Sequence, residues 1–451
     1  MGYSAVKGGL EAISVAERLV QHPLLASGET PLDTRHLEHQ LSLAVDKIIS
    51  EGGLYAPELA ALALKQAEGD LFEAAFLLRA YRSTLPRFGY SLPARGDRMR
   101  VVRRISSAFK DVPGGQLLGR TRDYTQRLLD FSLLGGGASA NGVALTPRPP
   151  LPTVGEGETN NLLPSPSRGR GAGGEGLLGG EVNFPKVADT MRAAGLVAPL
   201  PEADPSVEPP DITIDAVRYP ASRPARLQML ARGESGAMLS FAYASLRAFG
   251  GGDHATVAEL RVGDLPLQVV HPLLGTPVTI GHYRATEVEM LGPDRDKHVP
   301  GKTHAGYSLS YGLVFGQHER KAISMAILDS TLLATEGQER PRGSWSPAGD
   351  QEMVLSHIDP IESSGFVEHL KLPHYVTFGS SLQGTLAMQA ERRATLTPSG
   401  AMNVGAMNCA PTGTADVGAQ FIAPDKADDH HGIAAGQLHH HGDGVLHAHD
   451  D

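Results

Sequence analysis

The stretch YSLSYGLVFGQHERKAISMAILDSTLL, residues 307–333, decides the fold class. Its first part reads as a strand that runs through Gly316 into the helix HERKAISMAILDSTLL, so both element types belong to one unit. Upstream, TVAELRVGDLPLQVV and TPVTIGHYRATEVEM alternate as strands do, and RPARLQMLARGESGAMLSFAYASLRAF is helical on both sides of Gly233. Residues 184–378 are therefore expected to form an α+β domain.

The region before it reads as helical. In TRHLEHQLSLAVDKIISEGG, Leu37, Leu41, Val45, Ile48 and Ile49 fall on one stripe, and Gly52-Gly53 stop the helix. Pro57 opens a second helix where its missing N–H costs nothing, and Asp70 with Glu73 starts DLFEAAFLLRAYR in the manner of a capping box. Residues 1–134 are expected to be a helical N-terminal domain. Residues 135–183 hold almost no large apolar side chains and no period, which predicts a disordered low-complexity insert; a disordered His/Asp-rich tail is expected over 379–451.

Composition excludes several function classes. A lone cysteine, Cys409, rules out a disulfide framework and a Cys-ligated iron-sulfur cluster, so cluster-based radical chemistry cannot reside in this chain alone. No apolar run reaches the ~18 residues of a membrane span, and a soluble, cytoplasmic protein is expected. A formal charge of -10 argues against general nucleic-acid binding.

Within that acidic average, Arg95 to Arg127 is a segment of opposite sign. It includes Arg98, Arg100, Arg103, Arg104, Lys110, Arg120 and Arg122, opposed only by Asp97, Asp111 and Asp123. Arginine forks suit phosphate and phosphonate oxygens, and the PGGQLLG turn at 113–119 brings backbone N–H groups toward the same ligand, so a polyphosphate is the expected anion. The alternative is a solvated or subunit-facing basic helix. Asp111 and Asp130 lie in or just after this segment; carboxylates there would support an oxocarbenium-like state, or serve only as a turn former and an arginine partner.

Three glycine patterns carry less. Lys7-Gly8-Gly9 is either an anion site or a flexible lead-in to a helix. Gly301-Lys302-Thr303 lacks the glycine that a phosphate loop requires at Asp296, and the run around Gly169–Gly174 has no preceding strand.

His369 and His374, in GFVEHLKLPHYVTF, are five residues apart, a spacing that points side chains ~140° apart on a helix and to opposite faces of a strand. Pro373 bends the segment, which makes a two-ligand clip possible; zinc usually needs about three or four protein donors, so the rest must come from elsewhere or from another chain. Unliganded, hydrogen-bonded histidines are the alternative. The tail histidines His430, His431, His439, His440, His441, His447 and His449 form a flexible weak metal buffer or are incidental.

The motifs AVKGG, QLSLAVDKIISEGG, ELAALALKQAEGD, FLLRAYR, RISSAFKDVPGGQLLG, DYTQRLLDF, YGLVFGQHERKAISMA and GFVEHLKLPHYV together resemble the PhnI family of carbon-phosphorus lyase complex subunits, over 1–134 and about 184–378. The resemblance implies partner subunits PhnG, PhnH, PhnJ, PhnK and PhnL. It implies displacement of adenine from MgATP by methylphosphonate, giving α-D-ribose 1-methylphosphonate 5-triphosphate, and purine nucleosidase activity on ATP or GTP when the subunit is alone. It also implies that His369 and His374 enter a Zn2+ site completed at the contact with PhnJ. On this basis Arg100, Arg103, Arg104 and Lys110 are expected to hold phosphate or phosphonate, and Asp111 or Asp130 to support the ribosyl cation. A non-catalytic scaffold that completes an interface metal site for a partner is the competing expectation.

Overall fold

The computed structural model describes residues 9–26, 28, 30–129, 131–134, 184–199, 210–248, 255–294, 306–336 and 347–396. The expected insert over 135–183, the tail beyond 396, Asp130, Lys7, Gly8 and the Gly301-Lys302-Thr303 run lie outside these residues. Two compact units result: Met1–Pro373 and His374–Asp451.

The first unit begins with five helices, α1 (Gly9–Ala26), α2 (Thr34–Gln40), α3 (Ser42–Gly52), α4 (Pro57–Gln66) and α5 (Leu71–Thr84). The expected signals act where they were read. Asp70 accepts hydrogen bonds from the N–H groups of Phe72 and Glu73, Pro57 occupies the first turn of α4, and Gly53 ends α3 in the left-handed conformation at φ 67°. The single helix expected across Leu41 is instead two. Leu41 leaves helical geometry and is exposed, while Leu37, Val45, Ile48 and Ile49 pack with Leu64 and Leu78 into the bundle core.

Four antiparallel strands follow in sheet order β1 (Arg100–Ile105), β2 (Thr256–Val270), β3 (Pro277–Asp294) and β4 (Gly306–Phe315). The helices are α6 (Val187–Ala193), α7 (Arg223–Arg232), α8 (Ser235–Ala248), α9 (Glu319–Thr335), α10 (Gln351–His357) and α11 (Pro360–Glu368). Strand β4 does run through Gly316, at φ 74°, into α9. The molecule is thus α+β, as its sequence reads. The basic segment, however, is not helical: Arg100–Ile105 is the edge strand of the sheet, paired with β2. A partner strand more than 150 residues away in sequence sets that conformation, which local periodicity does not report.

The two faces of the sheet differ. Leu260, Val262, Val288, Met290 and Val314 pack against Leu230, Met238, Met325, Leu328 and Val354 from the surrounding helices. The alternate residues of the same strands put Glu259, Arg261, Glu287 and Glu289 on the other face, where all four are also buried.

In the second unit, α12 (Tyr375–Leu396) is a 22-residue helix that continues well past Phe378, where the tail was expected to lose order. Gly379, Ser380, Ser381, Gly384 and Thr385 dilute its apolar pattern and hide it from a periodicity reading.

Candidate functional site

The buried polar face of the sheet accounts for one of the predicted anion-binding arginines, Arg104. Arg104 donates from Nε to Glu259 Oε1 at 2.5 Å, and its remaining N–H groups reach the carbonyls of Pro113, Gly115 and Pro185. Arg261 donates to the carbonyls of Gly96 and Phe184, and Lys186 Nζ bridges Glu287 and Glu289 at 2.8 Å each. Val187 N–H completes Glu259. The four consecutive residues 184–187 are therefore all fastened to this face. Burial pushes the Glu289 carboxyl up, against the pull of Lys186, and Glu287 adds to the rise.

Arg103, on the opposite face of β1, is equally committed. It donates to the carbonyl of Leu118 and to Asp123 at 2.6 Å, and its Nε lies 2.8 Å from Glu319, near enough for an ion pair but off line for a hydrogen bond. Arg103 and Arg104, expected to grip a ligand, have guanidinium groups that are buried and occupied by protein oxygens.

Arg100 is different. Its side chain is 79% exposed, and it donates to Asp264 at 2.7 Å, which in turn accepts from Arg284 at 2.5 Å. Lys110, Asp111, Arg120 and Arg122 stand on the exposed segment that follows β1, and the three cations make no ion pair with another described residue. Gly114, Gly115 and Gly119 all adopt positive φ in this segment. Arg79, a weaker candidate of the same kind, is a structural tie: it pairs with Asp359 and donates to the carbonyls of Glu51 and Arg232.

Where the bundle meets the sheet, a titratable cluster escaped the sequence reading. Asp46 on α3 accepts from Gln317 N–H at 3.0 Å; burial raises its carboxyl, while that N–H and the charges of Arg284 and Arg120 pull it back. Gln317 Nε2 also donates to the Arg120 carbonyl. Deeper, Glu51 Oε1 accepts from Lys47, from Ser235 N–H and from Ser235 Oγ, which lies 2.8 Å from His318 Nε2. Lys321 is completely buried and donates to Ser50 Oγ at 2.7 Å. Burial pushes Lys321 down to about 7 and His318 down to about 3, the latter helped by Lys321 and Lys47. Beside Asp46 and Arg284, Tyr55, Tyr283 and Phe315 form a ring cluster with centroids 5.5 to 6.0 Å apart.

His369 lies in the first unit, in a 3-10 turn after α11, with its Nδ1 against the Phe366 carbonyl. His374 opens the second unit, and its carbonyl accepts from Phe378 N–H. Among the described residues no group of three or more His, Cys, Asp or Glu side chains is gathered for a metal ion, so the described part of the chain does not close a zinc shell.

An α+β protein with an ion-paired sheet interior and an exposed arginine edge is the class that fold and site define. The family described as Bacterial phosphonate metabolism protein (PhnI) matches residues 2–392, and the chain belongs to it. It is 42% identical over 391 residues to the alpha-D-ribose 1-methylphosphonate 5-triphosphate synthase subunit PhnI of Escherichia coli (strain K12), covering 86% of this chain and 99% of that protein. The subunit of the same name from Rhizobium meliloti (strain 1021) is 40% identical over 393 residues, 87% of this chain and 96% of the relative. The chain is accordingly a subunit of the carbon-phosphorus lyase pathway.

Proposed function

We propose that the chain takes part in forming α-D-ribose 1-methylphosphonate 5-triphosphate, the product in its relatives' name, by displacement of adenine from MgATP by methylphosphonate, within a complex with PhnG, PhnH, PhnJ, PhnK and PhnL. Alone, it acts as a purine nucleosidase on ATP or GTP. The observation that supports this reading is the cationic edge: exposed Arg100, with Lys110, Arg120 and Arg122 unpaired among the described residues.

The chemistry needs such an edge. A phosphonate oxygen forms a bond to C1′ as the bond from C1′ to the purine nitrogen breaks; its electron pair leaves with the base, which takes a proton from solvent. Two anions must approach each other, and guanidinium groups lower that repulsion. Arg103 and Arg104 act indirectly in this scheme, by fixing β1 and the returning segment 184–187. Asp111 is exposed next to Lys110 on the same edge. A Zn2+ held by His369, His374 and donors of a partner subunit would supply a Lewis acid at that contact.

The test is adenine release by the assembled complex from MgATP and methylphosphonate. Replacing Arg100, Lys110, Arg120 and Arg122 together by Gln should lower it at least ~100-fold; an unchanged rate overturns the assignment. Exposed Phe366, Val367 and Leu370 around His369 favour a second reading, a scaffold that docks a partner beside the metal. Guanine release from GTP by the folded chain alone supports the enzyme, and none supports the scaffold.

A further inference from the structure

We propose that the junction of α3, β3 and the turn between β4 and α9 is the nucleotide subsite, with Asp46 facing ribose C1′, the base against Tyr55 and Tyr283, and the phosphates on Arg284 and Arg120. The proposal rests on the reading of the chain as the nucleotide-handling subunit and names the residues that reading left open.

Four observations converge. Asp46 is partly exposed, its Oδ2 held by the Gln317 N–H, and it lies within electrostatic reach of Arg284 and Arg120 without an ion pair to either. A carboxylate held by a backbone N–H and ion-paired with neither nearby guanidinium is available to a third charge. The turn is shaped around it: a Cβ on Gly316 would lie 2.5 Å from Asp46 Oδ1, so the close approach of backbone to carboxylate requires glycine there. The Gln317 side chain ties Arg120 to the same turn, and Asp264 ties Arg284 to the exposed Arg100, which gives a run of cations from the junction to solvent.

The ring cluster supplies the remaining part. Tyr55 lies 6.0 Å from Tyr283 and 5.8 Å from Phe315 between ring centroids, and all three rings are partly exposed. Tyr283 and Arg284 are consecutive residues of β3, so one strand carries both a ring of the cluster and a guanidinium. Aromatic edges beside guanidinium groups suit a purine joined to phosphate, since every base offers a π face and the phosphates a charge. In this subsite Asp46 acts electrostatically, opposite the positive charge that builds at C1′ as the base departs. The bond changes are those already given, and no group is transferred to Asp46.

The assembled complex tests this in two ways. Asp46→Asn keeps an acceptor for the Gln317 N–H and removes the charge; it should lower kcat for adenine release about 100-fold while KM for MgATP stays within about threefold. An unchanged kcat, or a change confined to KM, overturns the role of Asp46. Independently, 8-azido-ATP irradiated with the wild-type complex should label peptides containing Tyr55 or Tyr283, with protection by MgATP. Label on other peptides alone overturns the subsite, even if the Asn variant fails to assemble. A wild-type complex that is labelled at these tyrosines yet releases no adenine leaves the subsite standing and defeats the proposed reaction; release with no label there does the reverse.

Discussion

Arg104 on β1 and Glu259 on β2 form an ion pair with Nε 2.5 Å from Oε1, and each side chain is only 1% exposed. Glu259 also lies 3.2 Å from Arg261 Nε, so one carboxylate compensates two buried guanidinium groups and an N–H of α6. Taking charge out of water is costly, and removing one partner leaves the others uncompensated.

Glu259→Ala should therefore destabilise the protein by about 3–5 kcal/mol. Urea unfolding followed by circular dichroism measures this. A loss below about 1 kcal/mol would mean that water enters the face and solvates the arginines.

Two glycine substitutions should separate in sign. Gly316→Ala places a methyl against Asp46 at a backbone φ of 74°, and a loss of at least about 1–3 kcal/mol follows from the strained backbone alone. Gly365→Ala, inside α11 with nothing within 4 Å of its new Cβ, should be neutral or stabilising by roughly 0.5–1 kcal/mol. Equal effects in thermal unfolding would contradict the packing at the turn.

The buried cluster at the start of α9 should make stability rise with pH. Lys321, pushed down to about 7 in the fold, binds fewer protons there than in the unfolded chain from about pH 7 upward. The burial penalty on its charged form is thus fully present below 7 and is relieved as pH rises toward the unfolded value. His318, pushed down to about 3, favours folding above its ordinary range and loses that contribution as pH falls through it toward 3. Between pH 7 and 9 the slope should approach about 1.4 kcal/mol per pH unit at most, and Lys321→Met should flatten it. A Met variant with the wild-type slope in chemical denaturation at several pH values would assign the effect elsewhere.

Truncation should locate the C-terminal limit of the functional chain. The family match runs to residue 392, which includes most of α12, so ending the chain at 396 should preserve assembly into the complex. Ending it at 378 removes most of α12, whose Leu382, Leu386 and Met388 are exposed, and should weaken co-purification with partner subunits at least about tenfold. Equal recovery of both truncations would show that α12 makes no contribution to assembly.

Much of the fold is legible in local chemistry. Asp70, Pro57 and Gly53 act within a few residues of their own positions, and the signals they give are the contacts they make. The ionic face of the sheet also left a trace. TVAELRV and TEVEM carry Glu259, Arg261, Glu287 and Glu289 at a spacing of two, which alternation alone assigns to solvent. Residues 184–187, together with Gly96, Pro113 and Gly115, arrive from elsewhere in the chain and turn that face into an interior. For the candidate site, Arg100 and Arg103 look equivalent as a string, yet the first is exposed and the second is enclosed by Asp123 and Glu319.

The order and type of most elements, the α+β class and the family were determined by the sequence itself, because helix caps, turns and hydrophobic period act over a few residues. Which charges are interior and which face solvent was decided by tertiary structure alone. Burial depends on groups far apart along the chain, as with Arg104 and Glu259, 155 positions apart, or Asp46 and Gln317, 271 apart. A carboxylate's environment is a property of what surrounds it in space, and that exists only once the chain has folded.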